Sequence, residues 1–307
     1  MRYADTDTLR IAYLEDGGAD GWPVVLCHGF PYDVHAFDEV TPELIREGAR
    51  VIRPYARGFG PTRFLTSDAA RSGEQAALAD DLRQLIVALD LVGPIVAGYD
   101  WGGLACCGVA AVWPDLVSGM VSMAGYDVID ERQQHGLPPS VEHVAWYQHL
   151  FQTSRGRESL AAHRRDLCVM LWRQWSPTWR FDDHVYEATA SSFDNPDFVD
   201  VVVQAYRHNF GTVDGDPRYA SARATLARRP VIPVPTVTLD GVHDPLKPGG
   251  TADHAPMFSG RHEHRAVDSG HNLPQECPAD FADAVLTVAG WLGLTTRSRP
   301  PIGPGCH

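Results

Sequence analysis

No two cysteines of this chain stand in a C-x-x-C pair, and no apolar run approaches the roughly 20 residues a membrane span requires. The six cysteines, Cys27, Cys106, Cys107, Cys168, Cys277 and Cys306, are scattered, mostly in apolar stretches, where small buried thiols are expected. Met1-Arg2-Tyr3-Ala4-Asp5-Thr6-Asp7 shows no basic stretch followed by an apolar segment, so no secretory signal is expected there and a reducing, cytoplasmic setting is. Positive charge is also in short supply: 26 Lys and Arg against 39 Asp and Glu leave a net charge of −13. That balance disfavours nucleic acid and anionic membrane as partners. A chain of 307 residues buries roughly three quarters of its unfolded surface, so it folds without disulfide staples.

What the chain does have is Gly98-Tyr99-Asp100-Trp101-Gly102. Pro94-Ile95-Val96-Ala97 before it reads as a short buried strand, and residues 103–111 after it as a small-residue helix packed close to a sheet. Small residues around the centre permit the sharp strand-to-helix turn that lifts a nucleophile out of a sheet, most familiar as glycine-x-serine-x-glycine. Aspartate at the centre changes the chemistry. With a reference pKa of about 3.9 it is ionised near pH 7 and attacks without help from a base. A carboxylate attacking a saturated carbon forms an ester that water can cleave; a serine would leave an ether. The motif points to substitution at sp3 carbon.

Residues 9–14, 24–27, 51–55, 94–98 and 117–123 read as strands, and 74–91 as an amphipathic helix. From about 129 to 216 that alternation gives way to aromatics at helical spacing, among them Trp146, Tyr147, Phe151, Trp172, Trp175 and Tyr206. It returns with strands at 234–239 and 263–267 and a helix at 281–292. Strands interleaved with helices predict an α/β protein with a mostly parallel sheet covered on both faces. The expected division is a core of residues 1–128 and 217–295, a helical cap at 129–216 and a disordered tail at 296–307.

A nucleophile on this elbow needs an acid and a histidine later in the chain. Asp244 follows one predicted strand and His271 follows the last, both in loops at the edge where open parallel sheets place their ligands. Asp244 would hold His271, and His271 would take a proton from the water that attacks the ester on Asp100. Backbone N–H groups of Phe30 and Trp101 supply an expected oxyanion hole. Asp240 and Asp127 are the rivals to Asp244 as the acid.

These motifs resemble the α/β-hydrolase-fold epoxide hydrolases, whose close relatives are haloalkane and fluoroacetate dehalogenases. The resemblance runs from about residue 9 to 292. His28-Gly29-Phe30-Pro31 is similar to the family's oxyanion motif, and Asp100-Trp101-Gly102-Gly103 to its nucleophile motif. Tyr147-Gln148 and Tyr206-Arg207-His208-Asn209 resemble the cap segments that supply two ring-opening tyrosines. The resemblance implies a cofactor-independent, metal-free enzyme that converts a small hydrophobic epoxide and water to a vicinal diol, with His28, Pro31 and Gln148 against the substrate. An epoxide leaves as an alkoxide, which needs a proton; a neutral phenol can deliver one at pH 7. Halide needs only stabilising donors.

Haloalkane dehalogenation on the same Asp-His-Asp triad is the alternative, and a non-catalytic ligand-binding scaffold a further one. Phe30 stands where many haloalkane dehalogenases carry a halide-binding asparagine. Tyr147-Gln148 stands where fluoroacetate dehalogenases carry histidine and tryptophan. Without the resemblance, Tyr147 and Tyr206 would read as packing residues, as Trp172, Trp175 and Trp179 do.

Overall fold

The computed structural model describes residues 1–129 and 136–295. The predicted tail at 296–307 and the first residues of the predicted cap, 130–135, lie outside the described residues. Five strands lead to the elbow: β1 (Arg2–Asp5), β2 (Leu9–Asp16), β3 (Trp22–Cys27), β4 (Ala49–Pro54) and β5 (Arg63–Phe64), with helix α1 (Val40–Arg46) before β4. Helix α2 (Gln75–Ala88), strand β6 (Ile95–Gly98), helix α3 (Trp101–Val112) and strand β7 (Gly119–Met123) follow. Then come helices α4 (Pro139–Val144), α5 (Trp146–Leu150), α6 (Ser154–Trp175), α7 (Asp183–Ala190), α8 (Phe198–Asn209) and α9 (Ala220–Leu226). Strands β8 (Thr236–Gly241) and β9 (His262–Val267) and helices α10 (Leu273–Glu276) and α11 (Pro278–Trp291) complete the chain.

The strands form one sheet in the order β1-β2-β4-β3-β6-β7-β8-β9, with β5 on β2. From β4 to β9 every pairing is parallel; β1, β2 and β5 join antiparallel. The inner strands β6, β7 and β8 are buried along their whole length, as a sheet covered by helices on both faces requires. Buried hydroxyls in β8 are satisfied locally: Thr236 donates to the Val234 carbonyl, and Thr238 shares hydrogen bonds with His262 and His264. β1 is not among the strands expected from sequence, because of its four residues only Ala4 is buried and no alternation of apolar residues marks it.

Register is what builds the site. Cys27 pairs with Gly98, Gly98 with Ser122, Met123 with Leu239, and Gly241 with Val267. The carboxyl ends of β3, β6, β7, β8 and β9 therefore share one edge, and each is followed by a residue weighed from the sequence: Phe30, Asp100, Asp127, Asp244 and His271. The helices between β7 and β8 are fastened to the loops at that edge. Trp172 Nε1 donates to the Pro31 carbonyl at 2.8 Å, and Thr189 and Ser192 donate to the buried Asp33 carboxylate at 2.9 and 2.5 Å. Asn195 bonds the carbonyls of Gly60 and Thr62. Trp172 and Trp175 are fully buried packing residues. Arg57, in the Arg57-Gly58-Phe59-Gly60 turn, makes a bidentate pair with Asp81 at 2.6 and 2.7 Å, a structural clamp beneath the site.

Candidate active site

Asp100 sits at φ 52°, ψ −128°, a positive-φ backbone conformation that a non-glycine residue holds only at a cost of order 1–3 kcal/mol. Its neighbours make the turn possible. A Cβ at Gly102 would lie 1.8 Å from the Cys27 carbonyl oxygen, and one at Gly98 would lie 2.5 Å from the Gly102 backbone. Strand and helix thus approach too closely for any side chain at 98 or 102, which is why this elbow needs small residues.

The turn aims the Asp100 carboxylate at two backbone donors. Oδ1 accepts from Phe30 N–H at 2.7 Å and from Trp101 N–H at 2.6 Å. Gly29 admits this contact, since a Cβ there would meet Oδ1 at 2.3 Å. Oδ2 is left facing His271, whose Nε2 lies 3.3 Å away. His271 Nδ1 is 2.7 Å from Asp244 Oδ2, and Asp244 Oδ1 accepts from Leu246 N–H at 2.9 Å. Burial works against a charged imidazole here, but the Asp244 and Asp100 carboxylates outweigh it and push His271 up to about 10. At neutral pH His271 is therefore held as imidazolium.

Of the three acids weighed from the sequence, Asp244 is the one hydrogen-bonded to His271. Asp240 instead accepts from the backbone N–H and the hydroxyl of Thr251, bracing the loop after β8. Asp127 lines the cavity beside Asp100, its Oδ1 3.8 Å from Lys247 Nζ. Burial pushes Asp127 up to about 6, with Lys247 pulling the other way.

A cavity of about 340 Å³, ordinary for a small-molecule site, opens above Asp100 and His271. Tyr147 from α5 and Tyr206 from α8 line it, with their hydroxyls 3.4 Å apart and both residues buried. Gln148 lines it too and donates to the Tyr147 hydroxyl at 3.0 Å. Burial raises both phenols above their ordinary value, and the Asp100 charge adds to the shift, so both remain protonated donors at neutral pH. The Trp101 ring packs against the Tyr206 ring, with centroids 6.0 Å apart. Leu104, Met123, Val141 and Leu246 supply apolar wall.

Two expected substrate contacts stand elsewhere. The His28 ring accepts from Ala56 N–H at Nε2 (3.0 Å), with Nδ1 3.0 Å from the Gly29 carbonyl oxygen, and it packs edge-on to Phe59. Burial lowers its pKa, so it is a neutral brace of the oxyanion loop rather than part of the cavity wall. Pro31 is likewise off the cavity, holding Trp172 through its carbonyl. Phe30 contributes its backbone, while its ring stacks on Trp101, Tyr147 and Phe198 and meets Tyr206 edge-on.

Glu276 joins the site without having been expected there. Its carboxylate accepts from the Gly270 and Asn272 N–H groups, which flank His271, and from the Ser176 hydroxyl at 2.6 Å. His271 N–H itself donates to the Trp175 carbonyl at 3.0 Å, which ties the histidine loop to the end of α6. A glutamate in the first turn after the His271 loop is the local signal; its partner Ser176, a hundred residues earlier, has none.

Comparison with known proteins gives the family to which this fold belongs. The sequence matches the α/β-hydrolase fold family over residues 23–275. The chain belongs to that family. This hydrolase is 38% identical to a candidate epoxide hydrolase of Klebsiella pneumoniae, whose crystal structure superposes with a TM-score of 0.91 over 94% of this chain and 96% of that one. It is 25% identical to a haloalkane dehalogenase of Mycobacterium marinum over 92% of this chain and 90% of the relative. It is also 25% identical to epoxide hydrolase 2 of Caenorhabditis elegans, over 50% of this chain and 42% of that protein. Among the described residues, no helix of this enzyme is long and apolar enough to cross a membrane.

Proposed function

We propose that the protein is an epoxide hydrolase that opens a small, largely apolar epoxide to a vicinal diol through an ester on Asp100. The observation that carries this reading is the pair of buried, protonated phenols, Tyr147 and Tyr206, lining the same cavity as an oriented carboxylate. Helices α4 to α8 act in it as a cap that brings the phenols over the nucleophile.

With Oδ1 held by two amides, Oδ2 is the oxygen that attacks an epoxide carbon. The C–O bond breaks as the O–C bond to Oδ2 forms, and a phenol proton passes to the departing alkoxide. Esterification removes the negative charge of Asp100, and with it one of the two carboxylates that keep His271 protonated. His271 then gives up its proton, which restores the phenol, and becomes the base for the second step. It takes a proton from water, the resulting hydroxide attacks the ester carbonyl, and Oδ1 carries the developing charge between the Phe30 and Trp101 N–H groups. Collapse releases the diol and returns Asp100 as carboxylate and His271 as imidazolium. The protons balance over one cycle.

Haloalkane dehalogenation is the second reading, supported by the nearly full-length likeness to the Mycobacterium marinum enzyme. The paired phenols of Tyr147 and Tyr206 weigh against it, because a departing halide needs no proton. A panel of alkyl and aryl epoxides and matched haloalkanes tests the choice, with diol and halide followed together. Diol formation, with the first turnover in 18O water labelling Asp100 rather than the diol, is the expected result. Halide release without diol formation would overturn it.

A further inference from the structure

Lys247 is the only lysine in the 307 residues; every other basic side chain of the Lys and Arg set is arginine. It projects from the loop that carries Asp244 and lines the cavity together with Asp127. Elsewhere the buried acids of this fold close on their partners at hydrogen-bond distance, as Asp81 does on Arg57 at 2.6 Å. Here the gap is 3.8 Å, longer than an N–H···O bond, with the Asp127 side chain 17% exposed and that of Lys247 42% exposed. The Asp127 carboxyl has no side-chain hydrogen bond among the described residues. Donor and acceptor stand side by side on a cavity wall, with capacity unspent among the described residues.

We propose that Lys247 and Asp127 form a subsite for a neutral hydroxyl on the substrate, so that the preferred epoxides carry a hydroxyl remote from the ring. The inference rests on the epoxide reading above. A hydroxyl is the group that can accept from Nζ and donate to a carboxylate oxygen at once. The charges of the cavity argue against the ionic options. Along the cavity wall Asp100 and Asp127 stand against His271 and Lys247, with Asp244 bonded to His271, so neither a substrate carboxylate nor a substrate ammonium meets an uncompensated opposite charge. Leu246, Met123 and Leu104 line the same cavity and suit an alkyl spacer.

The test uses the full chain and terminal epoxides of matched length ending in methyl, hydroxyl or carboxylate. The wild type is expected to favour the hydroxyl substrate in kcat/KM, and the hydroxyl-to-methyl ratio to fall about tenfold in Lys247→Met and in Asp127→Asn. An unchanged ratio in both variants overturns the subsite, as does a wild-type preference for the carboxylate. A second measurement separates this failure from that of the epoxide reading. Reductive methylation with 13C-formaldehyde labels Lys247 and the terminal amine alone. A hydroxylated 1,2-diol should shift the Lys247 resonance where the plain alkyl diol does not, whether or not any epoxide is turned over. Equal responses to the two diols overturn the subsite.

Discussion

Replacing His271 with glutamine separates the two halves of the proposed cycle. Glutamine is close to histidine in size and can still hydrogen-bond Asp244, which lies 2.7 Å from Nδ1, but it cannot accept a proton from water at neutral pH. General-base assistance is worth about 10²- to 10⁴-fold, so ester hydrolysis should fall by that factor. Formation of the ester needs only the ionised Asp100, already oriented by the Phe30 and Trp101 amides at 2.7 and 2.6 Å, and a phenol that can be reprotonated from solvent. If the two steps run at comparable rates in the wild type, a hundredfold loss in the second leaves roughly 99% of the variant as ester. Intact-protein mass spectrometry should then show a gain of the whole mass of the epoxide, and peptide mapping should place it on Asp100. A haloalkane substrate would instead add its alkyl group without the halide. Retained turnover with no adduct, or an adduct on another side chain of a correctly folded variant, would refute covalent catalysis at position 100.

Two further outcomes follow from the same geometry. Tyr206→Phe removes one of the paired phenols and should slow epoxide opening at least about tenfold, with far less effect on any alkyl-halide reaction; equal slowing of both in steady-state assays points to packing alone. The ion pairs of His271 make stability depend on pH. Its folded pKa of about 10 lies above the ordinary value of about 6.5, so the stabilisation is complete below about pH 6.5 and is lost as the pH rises through 10. Chemical denaturation should therefore show stability declining from neutral pH to about pH 10, with a shallower slope in His271→Gln, and identical slopes would remove the imidazolium from the resting state.

Local patterns carried the parts of this fold that depend on local chemistry. The β-branched run before Asp100 is a fully buried strand, and the small residues around Asp100 are required by the Cys27 carbonyl, 1.8 Å from where a Cβ at Gly102 would stand. Asp244 and His271 are legible because each directly follows a strand of a parallel sheet, whose carboxyl edge gathers such loops regardless of their distance in sequence. The two tyrosines needed the family resemblance, since nothing in their own spacing brings α5 and α8 together. His28 departs from its expected role for a physical reason. It neighbours the oxyanion loop in sequence, yet a buried neutral ring must satisfy both nitrogens, and backbone groups of Ala56 and Gly29 lie within reach.

What sequence order conceals most completely is contact across long separations, and Glu276 shows why this matters for chemistry. Its carboxylate holds the amides on either side of His271 while Ser176 binds it from the end of α6, so one side chain joins the histidine loop to the helix that packs over the site. An imidazole held on one side by Asp244 still has freedom to swing about that bond. With its backbone tied to Trp175 and its neighbours tied to Glu276, Nε2 is left facing the Asp100 carboxylate, where an ester carbonyl would form. In the proposed cycle the base is thus aligned by the helices above the sheet as much as by Asp244 within it, and the position of those helices becomes part of the hydrolytic step.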